Sequence, residues 1–274
     1  RIVTEMSVAC HGEDDFTLIT AATAQWHDYE WLARDLAPGL SLVDRSREIS
    51  TLIVTGPEAR ALMEAVGTEA DLHLPWLSHQ QGVVAGRDCW LARVSFAGEL
   101  GWEIHAENDA IPDIYEAILK HHAKPFGMWA LNSLRIEKGY RAWKGDLSTD
   151  YSLLQGGLER FIRFDKGHDF PGKQALLAEQ QAGVAKRFVT LTVDAGAADA
   201  PYMSTIWHDG TVVGETTSGA WGYRVGKSIA LGMLRADLHA PGTELEIDIY
   251  GDRRASVVQP DAPLWDPSNA RLRA

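Results

Sequence analysis

The feature that most constrains this chain is the rhythm of its last stretch, about ninety residues long. From Arg187 onward, short apolar segments alternate with turn residues. The segments are Phe188–Val193, Met203–His208, Thr211–Thr216, Ser228–Leu234, Glu244–Ile249 and Arg254–Val258. Each has strand length, and Asp-Gly, Pro-Gly or Gly-Asp punctuation separates several of them. Strands at hairpin spacing have few ways to bury their inward faces, so this part is expected to form an all-β barrel or sandwich.

The stretch before it reads differently. Ile2–Ala9 alternates like a strand, and Phe16–Thr20 returns after a polar turn. Helical spacing covers Ala24–Leu36 and stops at Pro38-Gly39. Ile49–Thr55 is a strand, and Pro57 opens a helix over Glu58–Val66. Pro75–Gln81 reads as irregular, and strands follow at Gly82–Ala85 and Cys89–Phe96. Asn108–His122 is an amphipathic helix, with Ile111, Ile114, Tyr115, Ile118 and Leu119 three and four apart. Helices are also expected at Met128–Lys138 and Lys173–Gln181. This order is an α+β layout. At 274 residues the chain exceeds what one core usually holds, so two domains are expected, 1–182 and 183–274.

Bulk chemistry excludes several functions. A net charge of -12 repels phosphate backbones, which argues against nucleic acid. No run of eighteen apolar residues exists to span a membrane, and no signal peptide is visible. Cys10 and Cys89 form no Cys-x-x-Cys, so both are expected as small buried residues in a reducing compartment. Cytoplasm fits, or the mitochondrial matrix in a eukaryote. The ten histidines show no metal-ligand spacing. No nucleophile elbow, dinucleotide fingerprint or phosphate loop is present. The opening R-I-V-T-E-M-S-V-A reads as mid-strand, so the chain is expected to be a piece of a longer polypeptide.

Candidate chemistry centres on Val94–His105, V-S-F-A-G-E-L-G-W-E-I-H. It reads as strand, turn and strand, with acids Glu99 and Glu103 and aromatics Phe96 and Trp102. Acids beside aromatics suit a flat hydrogen-bonding heterocycle. On composition alone, an ordinary hairpin with solvated acids is the favoured account of them. Dispersed residues add Thr4 and Glu5 on the first strand, Arg135, Glu137 and Tyr140 after a helix, and Trp221 and Tyr223 in a late loop. Ser218-Gly219 reads as a turn between strands, and a pair such as Arg135 with Lys138 as surface or structural.

In order along the chain, G-E-x-G-x-E-I, L-N-S-L-R-I-E-K-G, F-x-G-K-Q-A-L and T-S-G resemble the folate-binding aminomethyltransferase family, which includes the glycine cleavage T-protein. K-G-Y-R-A-W-K-G-D-L (Lys138–Leu147) and L-I-T-A-A-T-A-Q-W-H-D-Y-E-W-L (Leu18–Leu32) look like the folate-binding part of dimethylglycine and sarcosine dehydrogenases and oxidases. The departures lean the same way. T-proteins carry Arg-Asp where this chain has Leu131-Asn132, and Asp-Asp where it has Thr4-Glu5.

The resemblance implies a three-lobed fold, with ferredoxin-like α+β lobes and a C-terminal antiparallel barrel, lacking its N-terminal portion here. It implies tetrahydrofolate as cofactor, with Glu103 on the pterin. Phe96, Thr4, Tyr140, Trp221 and Tyr223 become further folate-site candidates, and Glu5 stands in as catalytic carboxylate. FAD would sit on an upstream domain or subunit. The implied activity captures the carbon of an oxidised N-methyl amine as 5,10-methylenetetrahydrofolate. The alternatives are a stand-alone T-protein-like aminomethyltransferase, a non-catalytic folate-binding protein, or a demethylase of sulfonium or methoxyl groups.

Overall fold

The computed structural model describes residues 1–274. The chain forms two compact units, each discontinuous in sequence: residues 1–6 with 132–265, and residues 7–131 with 266–274.

The second unit is built on a four-stranded antiparallel sheet. Its strands are β3 (Ile49–Thr55), β4 (His79–Val84), β5 (Arg87–Ala92) and β6 (Gly101–Glu107), in the order β3-β6-β5-β4. Ahead of them lie the paired strands β1 (Met6–Cys10) and β2 (Phe16–Thr20) and helix α1 (Gln25–Arg34). Alternation sorts the side chains of β6 between two faces. Trp102, Ile104 and Ala106 pair with Val54, Leu52 and Ser50. This face packs under α2 (Ala59–Ala65) and α3 (Ile111–Lys120) through Met63, Ile114 and Ile118. Helix α3 carries Pro at its start, Asp113 in the first turn and Lys120 in the last, the signs its dipole favours. On the other face Glu103 pairs with Ile53 and His105 with Thr51. A small cluster of Ala9, Trp90 and Ala92, with Ile19 and Val94 against it, covers part of that face.

In the first unit, six strands close into a barrel in the order β10-β7-β12-β11-β8-β9. They are β7 (Lys186–Val193), β8 (Thr205–His208), β9 (Thr211–Gly222), β10 (Lys227–Arg235), β11 (Glu244–Ile249) and β12 (Asp252–Val258). Closure leaves no free strand edge. Strand β10 is buried from Ser228 to Leu234 because both of its faces are covered. Ala230 and Leu234 fill the barrel, while Ile229 and Leu231 pack on Ile136 of helix α4 (Met128–Glu137). The last helix, α5, spans Lys173–Ala182.

Several elements differ from the sequence reading. The strand expected at Ile2–Ala9 begins only at Met6, so Thr4 and Glu5 precede the ladder. His79–Gln81, read as irregular, belongs to β4, where it pairs with Trp90–Ala92. Strand β5 stops at Ala92, and residues 93–100 form a broad loop instead of a tight turn. Ser218, Gly219 and Trp221 lie inside β9, not in a turn. The twelve-residue strand runs on because β10 pairs along its whole late half, with a bulge at Leu231/Gly232. Cys89 is buried as expected, but Cys10, at the end of β1, is exposed.

Candidate functional site

Strand β6 carries the first group of candidate residues. Gly101 opens it with no room for a side chain: a Cβ there would stand 2.7 Å from the Val54 carbonyl. That close approach sets the register, so Glu103 and His105 share the face away from the helices. Arg93 braces the preceding loop by donating from Nη1 to the Gly101 carbonyl at 3.2 Å. Burial holds this guanidinium below its ordinary value, and nearby Arg60 adds to the effect.

The Glu103 side chain is 21% exposed, enough to offer a carboxylate oxygen to a ligand. Its Oε2 lies 3.3 Å from Nε2 of His105, which is buried. That line is not a hydrogen-bond direction, and Nε2 has no hydrogen-bond partner, so the contact is electrostatic. On the other side of the ring, Nδ1 of His105 meets the Thr51 hydroxyl at 2.8 Å. Trp90 lies against the same ring, with centroids 4.2 Å apart and a tilt of 37°. The Trp90 indole donates to Nδ1 of His79 at 2.8 Å, and His11 meets both rings edge-on.

The aromatics expected to wall a ligand part company here. Trp102 is fully buried under α2 and α3, opposite Glu103, because consecutive strand residues point to opposite faces. Phe96 is exposed in the 93–100 loop. Glu99, in the same loop, is buried, and its N–H donates to the Ser95 hydroxyl at 3.3 Å. Trp90, His105 and Thr51, and not Trp102, share the sheet face of Glu103. The sequence signal for them is the period of two from Glu103 and the cross-strand register.

The other candidates lie in the first unit. Glu5 is exposed, and Thr4 has a buried hydroxyl with no hydrogen-bond partner. Tyr140 is half-buried, and its carbonyl accepts from Arg135 at 2.9 Å. Trp221 is partly exposed in a shallow cleft of about 360 Å³ with Lys227 and Ser228. Its carbonyl accepts from the Ser133 hydroxyl at 2.6 Å. Tyr223 is largely exposed in the turn beyond β9.

The recurrent motifs of this unit converge on two buried carboxylates. Asp146 takes hydrogen bonds from Arg135, from the Thr217 and Ser218 hydroxyls and from the Ala142 N–H. Arg135 also donates to Ser218 at 2.6 Å and to Asn132 at 2.8 Å. Arg135 and Lys138, read as surface or structural, are both buried. Glu137 is wholly buried and bonded by the Arg224 guanidinium and by the Arg224 N–H at 2.7 Å. These groups bind each other, so their work is to lock α4, the Arg141–Leu147 segment and β9 together.

No helix is long and apolar enough to cross a membrane.

Two family descriptions match the chain. "GCVT N-terminal domain" covers residues 1–166, and "Glycine cleavage T-protein C-terminal barrel domain" covers residues 186–266. Mouse mitochondrial dimethylglycine dehydrogenase is 32% identical across 100% of this chain, which covers 33% of that protein. The chain thus spans about a third of the dehydrogenases it matches. An aminomethyltransferase of Moorella thermoacetica is 31% identical over 94% of this chain and 72% of its own length. The crystal structure of glycine cleavage system aminomethyltransferase T from Bartonella henselae superposes with a TM-score of 0.87, covering 97% of this chain and 73% of that one at 22% identity, which is a likeness of fold. Matched by family through both its α+β part and its barrel, the chain belongs to the glycine cleavage T-protein family of aminomethyltransferase-type domains.

Proposed function

We propose that this chain is the folate-binding one-carbon module of an N-methyl amine dehydrogenase or oxidase. The observation that carries this reading is the match to dimethylglycine dehydrogenase along the whole chain. The Glu103 face supports it: a partly exposed carboxylate beside tilted, packed rings fits the N–H edge of a pterin.

A flavin held elsewhere in the whole protein would supply the oxidation of the amine to an iminium ion. Tetrahydrofolate, when bound, would take up the iminium carbon on two of its N–H nitrogens, with the amine and one proton released. Glu103 orients the pterin by accepting its ring N–H bonds, and Phe96 offers a further apolar edge. Glu5 accepts the released proton. Thr4, Tyr140, Trp221 and Tyr223 are proposed as further folate contacts. Holding the folate ready to capture the carbon keeps it from hydrolysing to formaldehyde.

Calorimetry of tetrahydrofolate binding tests the assignment. Glu103→Gln is expected to weaken binding about tenfold, the loss of a charge-assisted hydrogen bond. Unchanged affinity sinks the role of Glu103.

A second reading is an aminomethyltransferase acting without a flavin. It is favoured by the relatives of that name, which this chain covers over 72% of their length. The yellow colour of a bound flavin in the purified full-length protein separates the two.

A further inference from the structure

We propose that His105 is the positioning residue of the Glu103 carboxylate. Its Nε2–H addresses Oε2 and leaves the second oxygen for the N–H edge of the bound heterocycle. This rests on Glu103 being the acid that recognises folate.

Two neighbours hold the His105 ring. Thr51 occupies Nδ1 at 2.8 Å. Trp90 covers one side of the ring at 4.2 Å. Trp90 itself is fixed, because its indole donates to Nδ1 of His79, whose Nε2 lies 3.0 Å from the Cys10 carbonyl. His105 cannot swing away without breaking this chain of contacts, and it is buried.

Electrostatics then selects the tautomer. If Nδ1 carried the proton, Nε2 would hold a lone pair, with its negative potential, 3.3 Å from a carboxylate oxygen. With the proton on Nε2, Thr51 donates its hydroxyl hydrogen to Nδ1, and Nε2–H faces a negative charge. Nε2 has no hydrogen-bond partner. A small turn of the Glu103 carboxylate converts the 3.3 Å contact into a hydrogen bond, a tightening common when a site fills.

The test is a double-mutant cycle on the full-length protein, read by tetrahydrofolate calorimetry, with nitrogen NMR on the unliganded wild type. His105→Phe keeps a ring against Trp90 and removes both nitrogens. It is expected to weaken binding about tenfold in the wild type and less than about twofold in Glu103→Gln, because its effect passes through Glu103. Equal losses in both backgrounds overturn the proposal. The spectrum is expected to show a proton on Nε2 of His105, and an unprotonated Nε2 overturns it. The spectrum needs no variant, so a His105→Phe protein that fails to fold does not shelter the proposal. Wild-type affinity in Glu103→Gln is a separate result: it defeats the folate role of Glu103, and with it the purpose assigned to His105.

Discussion

Arg135 and Asp146 form an ion pair from which water is excluded, with side chains 4% and 0% exposed. The same carboxylate accepts from Thr217 and Ser218, so three separated motifs close on one group. Removing one member of such a pair leaves the other charge buried and uncompensated. Asp146→Asn is therefore expected to cost about 3 kcal/mol of folding stability in a denaturant titration. Replacing both members by apolar residues should cost less than the single change. A loss under about 1 kcal/mol for Asp146→Asn would contradict the structural role given to this network.

The glycine of the T-S-G motif is required by space. A Cβ on Gly219 would stand 2.1 Å from the Ala200 carbonyl oxygen, which is backbone and cannot turn aside. Gly219→Ala is expected to destabilise the barrel by about 1–3 kcal/mol, visible as a lowered melting temperature. A Gly210→Ala control is informative because a Cβ there meets nothing within 4 Å, although its positive φ of 73° carries a smaller cost of its own.

The two cysteines should behave differently. Burial, reinforced by Asp88, pushes the Cys89 thiol up to about 11, whereas Cys10 is exposed. Ellman's reagent at pH 8 should label one thiol quickly and the second only after unfolding. The linkage sign follows from the raised value. The unfolded thiol loses its proton first, above pH 9, so this group's contribution makes stability fall as pH rises from about 9 to about 11. Cys89→Ser should remove that part of the alkaline decline in a pH series of denaturation curves.

Glu5 is exposed and lies outside the strand ladder. As a proton acceptor in the folate half of the reaction, it should be dispensable for amine oxidation. In the full-length protein, Glu5→Gln is expected to cut methylenetetrahydrofolate yield by about a hundredfold, the scale of one general base. Dye-linked amine oxidation should hold its rate while free formaldehyde rises. A parallel fall in both activities would assign Glu5 a different role.

Local pattern made much of the fold legible. Phe16–Thr20, Ile49–Thr55 and Glu244–Ile249 are strands with the bounds read from alternation alone. Helix α3 is shorter at both ends than its apolar spacing suggested, because the first and last turns are held by weaker local bonds. The late strands were identifiable one by one, but not whether they close. Barrel closure depends on pairing between distant strands, such as β10 with β7 and β12 with β7. The same long-range pairing carries β9 through Ser218 and Trp221, where Gly-rich composition reads locally as a turn.

The site divides along the same line. By itself the sequence determined that Glu103 lies on a strand, two residues from a histidine and next to a tryptophan, since backbone alternation needs no partner. Only the tertiary structure decided which side of that strand is dry. Helices α2 and α3 bury Trp102 and leave Glu103 with His105 on the opposite face. It also decided that Asp146 and Glu137 are internal counter-charges and not free acids, because Arg135 and Arg224 reach them only in the folded chain. Covering one sheet face, and pairing charges far apart in sequence, are long-range burial events that no short window of residues encodes.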